Sequence, residues 1–252
     1  MRTRKGLWKQ FQKRRLGNPE SALAEAAVFR VLQACGVNPA VADMLNDGGP
    51  DFRCTGDQSG TFMVEATSFQ LDKVTRDTGI SDKVSVGIAG QAFSLLTQQI
   101  EERAAEKRRQ LKKFPIPGIL AIVSSHIGSA LTLDALAAEN ALISQPFWIG
   151  GEDRMFTDLS SSIFLHLEDD GEIAAINSSI SAVLFVSVGL ERSYVCGALN
   201  PAATHRFRPE SLWMIPFVYL KDRPIVEGRL RCEWTMGSQR TYVVEHKSIK
   251  SS

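Results

Sequence analysis

The distribution of apolar and polar residues along the chain predicts an alternation of helices and strands. Residues 118–125 and 180–188 are almost continuous apolar runs, typical of strands that are buried on both faces of a sheet. Apolar residues at helical spacing, bounded by proline or glycine, predict helices over residues 19–35 and 91–114, and a similar pattern predicts a third over 132–142. This order of elements predicts an α/β fold.

A β-hairpin is predicted between the first two helices. Residues 51–55 and 61–68 are rich in the aromatic and β-branched residues that strands favour, and residues 56–60 contain the glycines and polar residues of a turn. Asp51 opens the first of these strands.

Two carboxylates in this hairpin stand where apolar residues are expected. Side chains alternate across a strand, so Met63, Glu65 and Thr67 share one face of the second strand. Burying Glu65 is costly without a partner, and Asp51 on the neighbouring strand is a like charge. A divalent cation between the two carboxylates would remove both difficulties.

The two longer predicted helices also carry charges on their apolar sides. Glu25 falls within the apolar stripe of the first helix, and Lys107 lies between Ala104 and Leu111 in the stripe of the second, with Gln110 three residues further on. Each charge has a simpler explanation: Glu25 could extend to solvent from the edge of its stripe, and Lys107 could belong to the basic surface of its helix.

The sequence Pro50-Asp51, followed after a gap by Glu65-Ala66-Thr67, resembles the motif of the PD-(D/E)XK superfamily of restriction-endonuclease-like nucleases. The resemblance implies that Asp51, Glu65 and the main-chain carbonyl of Ala66 bind Mg²⁺ or Mn²⁺. The third motif residue is normally lysine, so Thr67 is a departure from the pattern and leaves catalysis in question.

Two further residues extend the resemblance. In this superfamily a glutamate of the first helix often joins the metal site, and Glu25 matches it in position and order. Some members take the missing lysine from the following helix as Lys-x-x-Gln, and Lys107 and Gln110 fit that arrangement. The resemblance therefore implies catalytic roles for Asp51, Glu65, Lys107 and Gln110, with Thr67 in the position of the usual lysine.

The implied fold is a restriction-endonuclease-like core, a central mixed four- to five-stranded sheet flanked by helices, with C-terminal additions. We expect one domain over residues 18–252, with its core at 18–200 and a peripheral C-terminal extension at 201–252. Alternation within residues 213–244 predicts an antiparallel edge hairpin in that extension. The motif resemblance itself covers residues 18–125.

Composition agrees with a globular protein of 252 residues, of which 44% are hydrophobic and 23% are charged. No apolar run approaches the roughly 20 residues of a membrane-spanning helix, so we expect no membrane association and a cytoplasmic location. The four cysteines are widely spaced, which argues against a zinc ribbon and against a disulfide framework.

Net charge is unevenly distributed between a basic N-terminal arm at residues 1–17 and the remainder of the chain. Residues 1–15 contain seven basic residues and no acidic one, which leaves 22 basic and 28 acidic residues elsewhere. Such an arm could bind phosphates and stack on bases, although a solvated terminus would look the same. The candidate nucleic-acid-binding residues are Arg2, Arg4, Lys5, Trp8, Lys9, Lys13, Arg14 and Arg15 of the arm, and Arg103 on the second helix.

The sequence leads to the expectation of a Mg²⁺-dependent endonuclease that hydrolyses phosphodiester bonds in nucleic acid, with DNA the expected substrate and restriction, mobile-element defence or repair as roles. Assembly as a homodimer is left open. One alternative is a catalytically inactive relative that binds nucleic acid or a protein partner. Another is an unrelated α/β domain, in which Asp51 and Glu65 would lie far apart. An active site predicts instead that Lys107 approaches the two carboxylates.

Overall fold

A computed structural model of the protein describes three helices, each of which begins and ends close to its expected residues. They are α1 (Pro19–Ala34), α2 (Ala89–Leu111) and α3 (Ala135–Ile143). The described residues are 19–42, 49–56, 60–68, 89–125, 133–144, 146–148, 155–189, 193–221, 229–236 and 239–244.

Local chemistry explains where the helices start and stop. Proline occupies the first position of α1, where no backbone N–H is needed, and Gly36 ends that helix region with a φ of 80°. Asp134 caps α3, because its Oδ1 accepts hydrogen bonds from the backbone N–H groups of Leu136 at 2.9 Å and Ala137 at 3.3 Å.

The strands alternate with these helices and become more frequent towards the C-terminus. In chain order they are β1 (Asn38–Val41), β2 (Phe52–Gly56), β3 (Gly60–Ser68), β4 (Gly118–Ser124), β5 (Phe147–Trp148), β6 (Met155–Thr157), β7 (Leu165–Leu167), β8 (Ile173–Ala175), β9 (Ala182–Val188), β10 (Ser193–Leu199), β11 (Phe217–Leu220), β12 (Arg229–Trp234) and β13 (Gln239–Val244). A short 3₁₀ helix, Pro209–Leu212, precedes β11.

The order of the first elements is helix, three-stranded antiparallel meander, helix and parallel strand. β1 pairs with β2 and β2 with β3, both antiparallel, whereas β3 pairs with β4 in parallel after the chain has passed through α2. In the parallel register Glu65 lies beside Leu120. Because parallel neighbours require a crossover, α2 is carried back over the sheet.

The α/β class and the mixed sheet are confirmed, but the predicted number of four to five strands is wrong. Within the described residues, eleven strands form one sheet in the order β1-β2-β3-β4-β9-β10-β11-β12-β13-β6-β5, and β7 and β8 form a separate pair. β12 and β13 are antiparallel as predicted, yet they do not form an edge, since β13 also pairs with β6. β11 covers β10, which would otherwise present unpaired backbone groups.

Both faces of the central strands are buried. Leu120 and Ile122 face α2 and α3 together with Met63, whereas Val64 and Ala66 face α1. All seven residues of β4 are buried, which explains its continuous apolar sequence. None of the described helices is long and apolar enough to cross a membrane.

Gly197 occupies a point where β10 is too closely packed for a side chain. A Cβ atom at this position would lie 2.6 Å from Cε1 of Phe217 and 2.7 Å from the carbonyl oxygen of Val183. We expect Gly197→Ala to lower the free energy of unfolding by about 1–3 kcal/mol, as overpacking does in well-filled cores. Urea denaturation measures this loss.

The control is Gly49→Ala, whose Cβ would meet only Cζ of Phe114, at 3.9 Å. That variant should unfold at nearly the wild-type urea concentration. Equal midpoints for the two variants would contradict the packing described for β10.

Candidate functional site

Asp51 lies where the pairing between β2 and β3 ends. The last paired residues of these strands are Phe52 and Val64, so Asp51 precedes the final pair. Beyond this pair, the carboxylate of Asp51 replaces a backbone partner: its Oδ2 accepts a hydrogen bond of 2.8 Å from the backbone N–H of Ala66. The side chain of Asp51 is thereby fixed beside Glu65.

Glu65 is a buried carboxylate on the face of β3 that α2 covers. Its Oε1 lies 2.7 Å from Nζ of Lys107, and the side chains of Glu65 and Lys107 are 5% and 17% exposed. Its second oxygen, Oε2, is buried and accepts no hydrogen bond from the described residues. The carboxylate therefore has one satisfied oxygen and one that remains available as a ligand.

Lys107 reaches Glu65 because of its place on α2. Ala104 and Leu111, three residues before and four residues after it, are completely buried against the sheet. The aliphatic part of the lysine follows this apolar side, while its ammonium group reaches the carboxylate. Gln110 lies on the same side, and its Oε1 is buried with no hydrogen-bond partner in the described part of the chain.

The electrostatics of Glu65 reflect its burial and its neighbours. Burial raises the pKa of its carboxyl above the ordinary value, and the nearby charge of Glu25 adds to that rise. The ion pair with Lys107 and a hydrogen bond from the backbone N–H of Asp51 lower the same pKa without cancelling the effect of burial. Glu25 on α1 is thus close enough to act on the site.

The available oxygen atoms suit a hard divalent cation. Within a strand the N–H and C=O of one residue point to the same side, so the carbonyl of Ala66 faces the side from which Asp51 binds its N–H. The Asp51 carboxylate, this carbonyl and the unsatisfied Oε2 of Glu65 are ligands of the kind Mg²⁺ prefers. The chemistry of Asp51, Glu65 and Ala66 therefore fits a bound Mg²⁺ ion.

The site would nevertheless be poor in protein ligands. Among the described residues, no three histidine, cysteine or acidic side chains converge as a metal-binding group. Mg²⁺ commonly keeps several water molecules and needs only one or two carboxylates. Asp51, Glu65 and Ala66 would hold it, and Glu25 would add negative charge from the other side.

The remaining candidates are distributed around this centre. Thr67 is buried on the same face of β3 as Glu65 and lies beside Ile122 of β4. Arg103 forms an ion pair of 2.8 Å with Glu106 on the outer side of α2. The arm residues Arg2, Arg4, Lys5, Trp8, Lys9, Lys13, Arg14 and Arg15 lie outside the described residues.

Sequence reasoning missed a buried polar pair on α3. Glu139 and Asn140 are almost completely buried, and Oε1 of Glu139 accepts a hydrogen bond of 2.8 Å from Nε1 of Trp234. The sequence feature that could have predicted this pair is the occurrence of two adjacent polar residues within an otherwise apolar helix. The bond to Trp234 joins α3 to β12, so Glu139 has a structural role.

Stability in the absence of metal should depend on the protonation of Glu65. Folded protein retains this proton at pH values where the unfolded chain has released it, so the stability due to Glu65 is complete below the ordinary pKa of 4.5 and is lost as pH rises through the raised pKa. We expect the free energy of unfolding of the wild type to fall relative to Glu65→Gln across this range. Urea denaturation in EDTA at a series of pH values measures the difference, and a constant difference would contradict the assignment.

Comparison of the chain with protein-family models, with curated proteins and with solved structures finds no match. The function of the protein therefore has to be inferred from the chemistry of the residues that meet at Asp51, Glu65 and Lys107.

Proposed function

We propose that the protein is a metal-dependent nuclease that hydrolyses phosphodiester bonds, with DNA as its substrate. The observation that carries this proposal is the approach of Lys107 to within 2.7 Å of Glu65, next to a carboxylate, Asp51, that is anchored on the same strand. Two carboxylates that can hold a metal ion and a lysine beside them are groups that metal-assisted phosphodiester hydrolysis uses.

The order of elements supports the same proposal. A helix, three antiparallel strands, a helix and a parallel strand follow one another between residues 19 and 124, as in the restriction-endonuclease-like core that the motif implies. Asp51 stands at the start of the second strand of this unit, and Glu65 stands within the third. Lys107, on the helix that follows, would supply the charge that Thr67 lacks.

Each protein group has a distinct task in the proposed reaction. A bound Mg²⁺ would supply positive charge to the phosphate and lower the pKa of attacking water. Asp51, held by the N–H of Ala66, stays fixed in orientation, so no reorganisation is needed when the ligands assemble.

Lys107 is suited to act on the phosphate or on the water. Its ammonium group would donate a hydrogen bond to a phosphate oxygen or position the water, and the buried Oε1 of Gln110, which has no partner among the described residues, would accept a hydrogen bond from that water. In the hydrolysis, the oxygen of water bonds to phosphorus, the P–O bond to the leaving sugar oxygen breaks, and that oxygen takes up a proton. Because the site is buried, each of these interactions is stronger than it would be in water.

One alternative function has an observation in its favour. Thr67 replaces the lysine of the motif, and the ion pair of Lys107 with Glu65 would also satisfy a buried acid in a protein that no longer cuts. Such a relative would bind nucleic acid or a protein partner through the same fold. A chance motif in an unrelated domain is less well supported, since it predicts distant acids, whereas Asp51 is bonded to the residue that follows Glu65. A measurement of molecular mass in solution would decide whether the protein forms a homodimer.

Metal binding is the first property to measure. Isothermal calorimetry with Mn²⁺ and Mg²⁺ should show binding to the wild type and its loss in Asp51→Asn, because the amide supplies no charge and donates where a ligand must accept. The same metals should support cleavage of plasmid or single-stranded DNA by the wild type alone. Absence of both metal binding and cleavage in the wild type would favour the inactive relative.

Lys107 should be required for catalysis in addition to its effect on stability as the partner of Glu65. We expect Lys107→Met to lower kcat by about 100-fold or more, the usual loss when a group that stabilises transition-state charge is removed. Lys107→Arg, which keeps the charge, should lose less. The control is Lys221→Met, at an exposed lysine that pairs with Glu233 near the C-terminus, and it should cut at the wild-type rate. A Lys107→Met protein that folds, by circular dichroism, and cuts normally would exclude the assignment.

A further inference from the structure

A cleft rich in basic residues lies between the C-terminal end of α2 and two turns of the chain. We call it the basic cleft; it has a volume of about 610 Å³ and is open to solvent. One wall is the last turn of α2 and the residues after it, and the other is formed by residues 177–179 and 204–205. Its lining residues are Arg108, Arg109, Leu111, Lys112, Phe114, Asn177, Ser178, Ser179, Thr204 and His205.

The cleft is strongly positive. Arg108, Arg109 and Lys112 are exposed on its helical wall, and no carboxylate belongs to its lining. In the described part of the protein, neither Arg109 nor Lys112 forms an ion pair with an acidic side chain. These cations are therefore available to an anionic ligand.

The facing wall supplies hydroxyl groups on a rigid backbone. Asn177 adopts a left-handed conformation with a φ of 53°, and its Nδ2 donates a hydrogen bond of 2.9 Å to the carbonyl of Ile163. The Nδ2 of Asn200 donates to the carbonyl of Asn177 at 3.2 Å, and the N–H of Thr204 donates to the carbonyl of Ser178 at 2.8 Å. Ser178 and Thr204 are exposed on this fixed turn.

The two walls are also bonded to each other. Oγ of Ser179 donates a hydrogen bond of 3.0 Å to the carbonyl of Arg108, and Nη1 of Arg108 donates one of 3.4 Å to Oδ1 of Asn177. The cleft is thus formed before any ligand arrives, which reduces the entropic cost of binding.

The helix α2 links the basic cleft to the candidate site. Lys107 reaches Glu65, and the next residue, Arg108, reaches Asn177. Successive helical residues point about 100° apart, so one turn of α2 serves the buried carboxylate and the open cleft. The cleft also borders the start of β4, since the carbonyl of Ser179 lies 3.2 Å from the position of a Cβ on Gly118. Gly118 pairs with Met63, two residues from Glu65.

We propose that the basic cleft binds the sugar-phosphate backbone of the nucleic acid and holds it against α2, beside the buried acids. The identity of the ligand as nucleic acid rests on the proposed function, whereas its anionic character follows from the cleft itself. The basic cleft is open, and its cations are distributed along one wall opposite hydroxyl groups. This arrangement fits successive phosphates of a chain better than one small enclosed anion. Arginine adds bidentate hydrogen bonds to phosphate oxygens.

The test measures binding without cleavage. Fluorescence anisotropy of a labelled DNA duplex in EDTA, over a series of salt concentrations, compares the wild type with the double variant Arg109→Ala/Lys112→Ala. We expect the double variant to bind about 10-fold or more weakly, and the slope of log affinity against log salt to fall by about two, one for each lost phosphate contact. The control Arg30→Ala removes an exposed arginine of α1 and should leave affinity and slope unchanged.

The outcomes separate the cleft from the nuclease activity. A wild type that binds the duplex but neither binds Mn²⁺ nor cuts would contradict the proposed nuclease and still support the cleft, provided that the double variant loses affinity. Equal affinity and salt slope in the wild type and the double variant would overturn the cleft, whatever the result for metal binding. A double variant that melts at a lower temperature but binds with unchanged affinity would also overturn the cleft, because its cations would then serve only to offset the negative end of the α2 dipole.

Discussion

The ion pair between Glu65 and Lys107 is the interaction on which the candidate site depends. A carboxylate that is 5% exposed cannot stay charged without compensation, and Lys107 provides it at 2.7 Å. Removing one partner of a buried pair typically costs about 3–5 kcal/mol, because the other charge is left buried and alone. The raised pKa of Glu65 indicates that the compensation is incomplete. A site of this kind gains from a cation that binds the second oxygen.

The sheet brings the partners of this pair together. The parallel pairing of β3 and β4 requires a crossover, and α2 lies across the face from which Glu65 projects. The backbone pairing of β2 with β3 ends at Val64, so the N–H of Ala66 donates its hydrogen bond to the side chain of Asp51 and not to a backbone carbonyl. The carboxylate of Asp51 is therefore held next to Glu65 where the antiparallel pairing stops.

One helix contributes to both the buried site and the basic cleft. The inner side of α2 carries Lys107 and Gln110 towards the sheet, whereas Arg108 and Arg109 on its outer side, and Lys112 just after its end, line the cleft. The inner charge is paired and partly dehydrated, whereas the outer charges are hydrated and sensitive to salt. In the nuclease that we propose, the same helix would combine strong local interactions at the reacting atoms with weaker, longer-range attraction for a polyanion.

The sequence by itself determined the features that depend on local periodicity. The hairpin, the helices and the buried strands follow from alternation and helical spacing, and Glu65, Asp51 and Lys107 stood out as charges in apolar patterns. Tertiary structure alone decided that Lys107 pairs with Glu65, that the sheet continues past β10, and that residues 177–179 and 204–205 face α2. These are contacts between residues far apart in the chain, and their geometry depends on strand order and register, for which a local pattern of residues carries no signal.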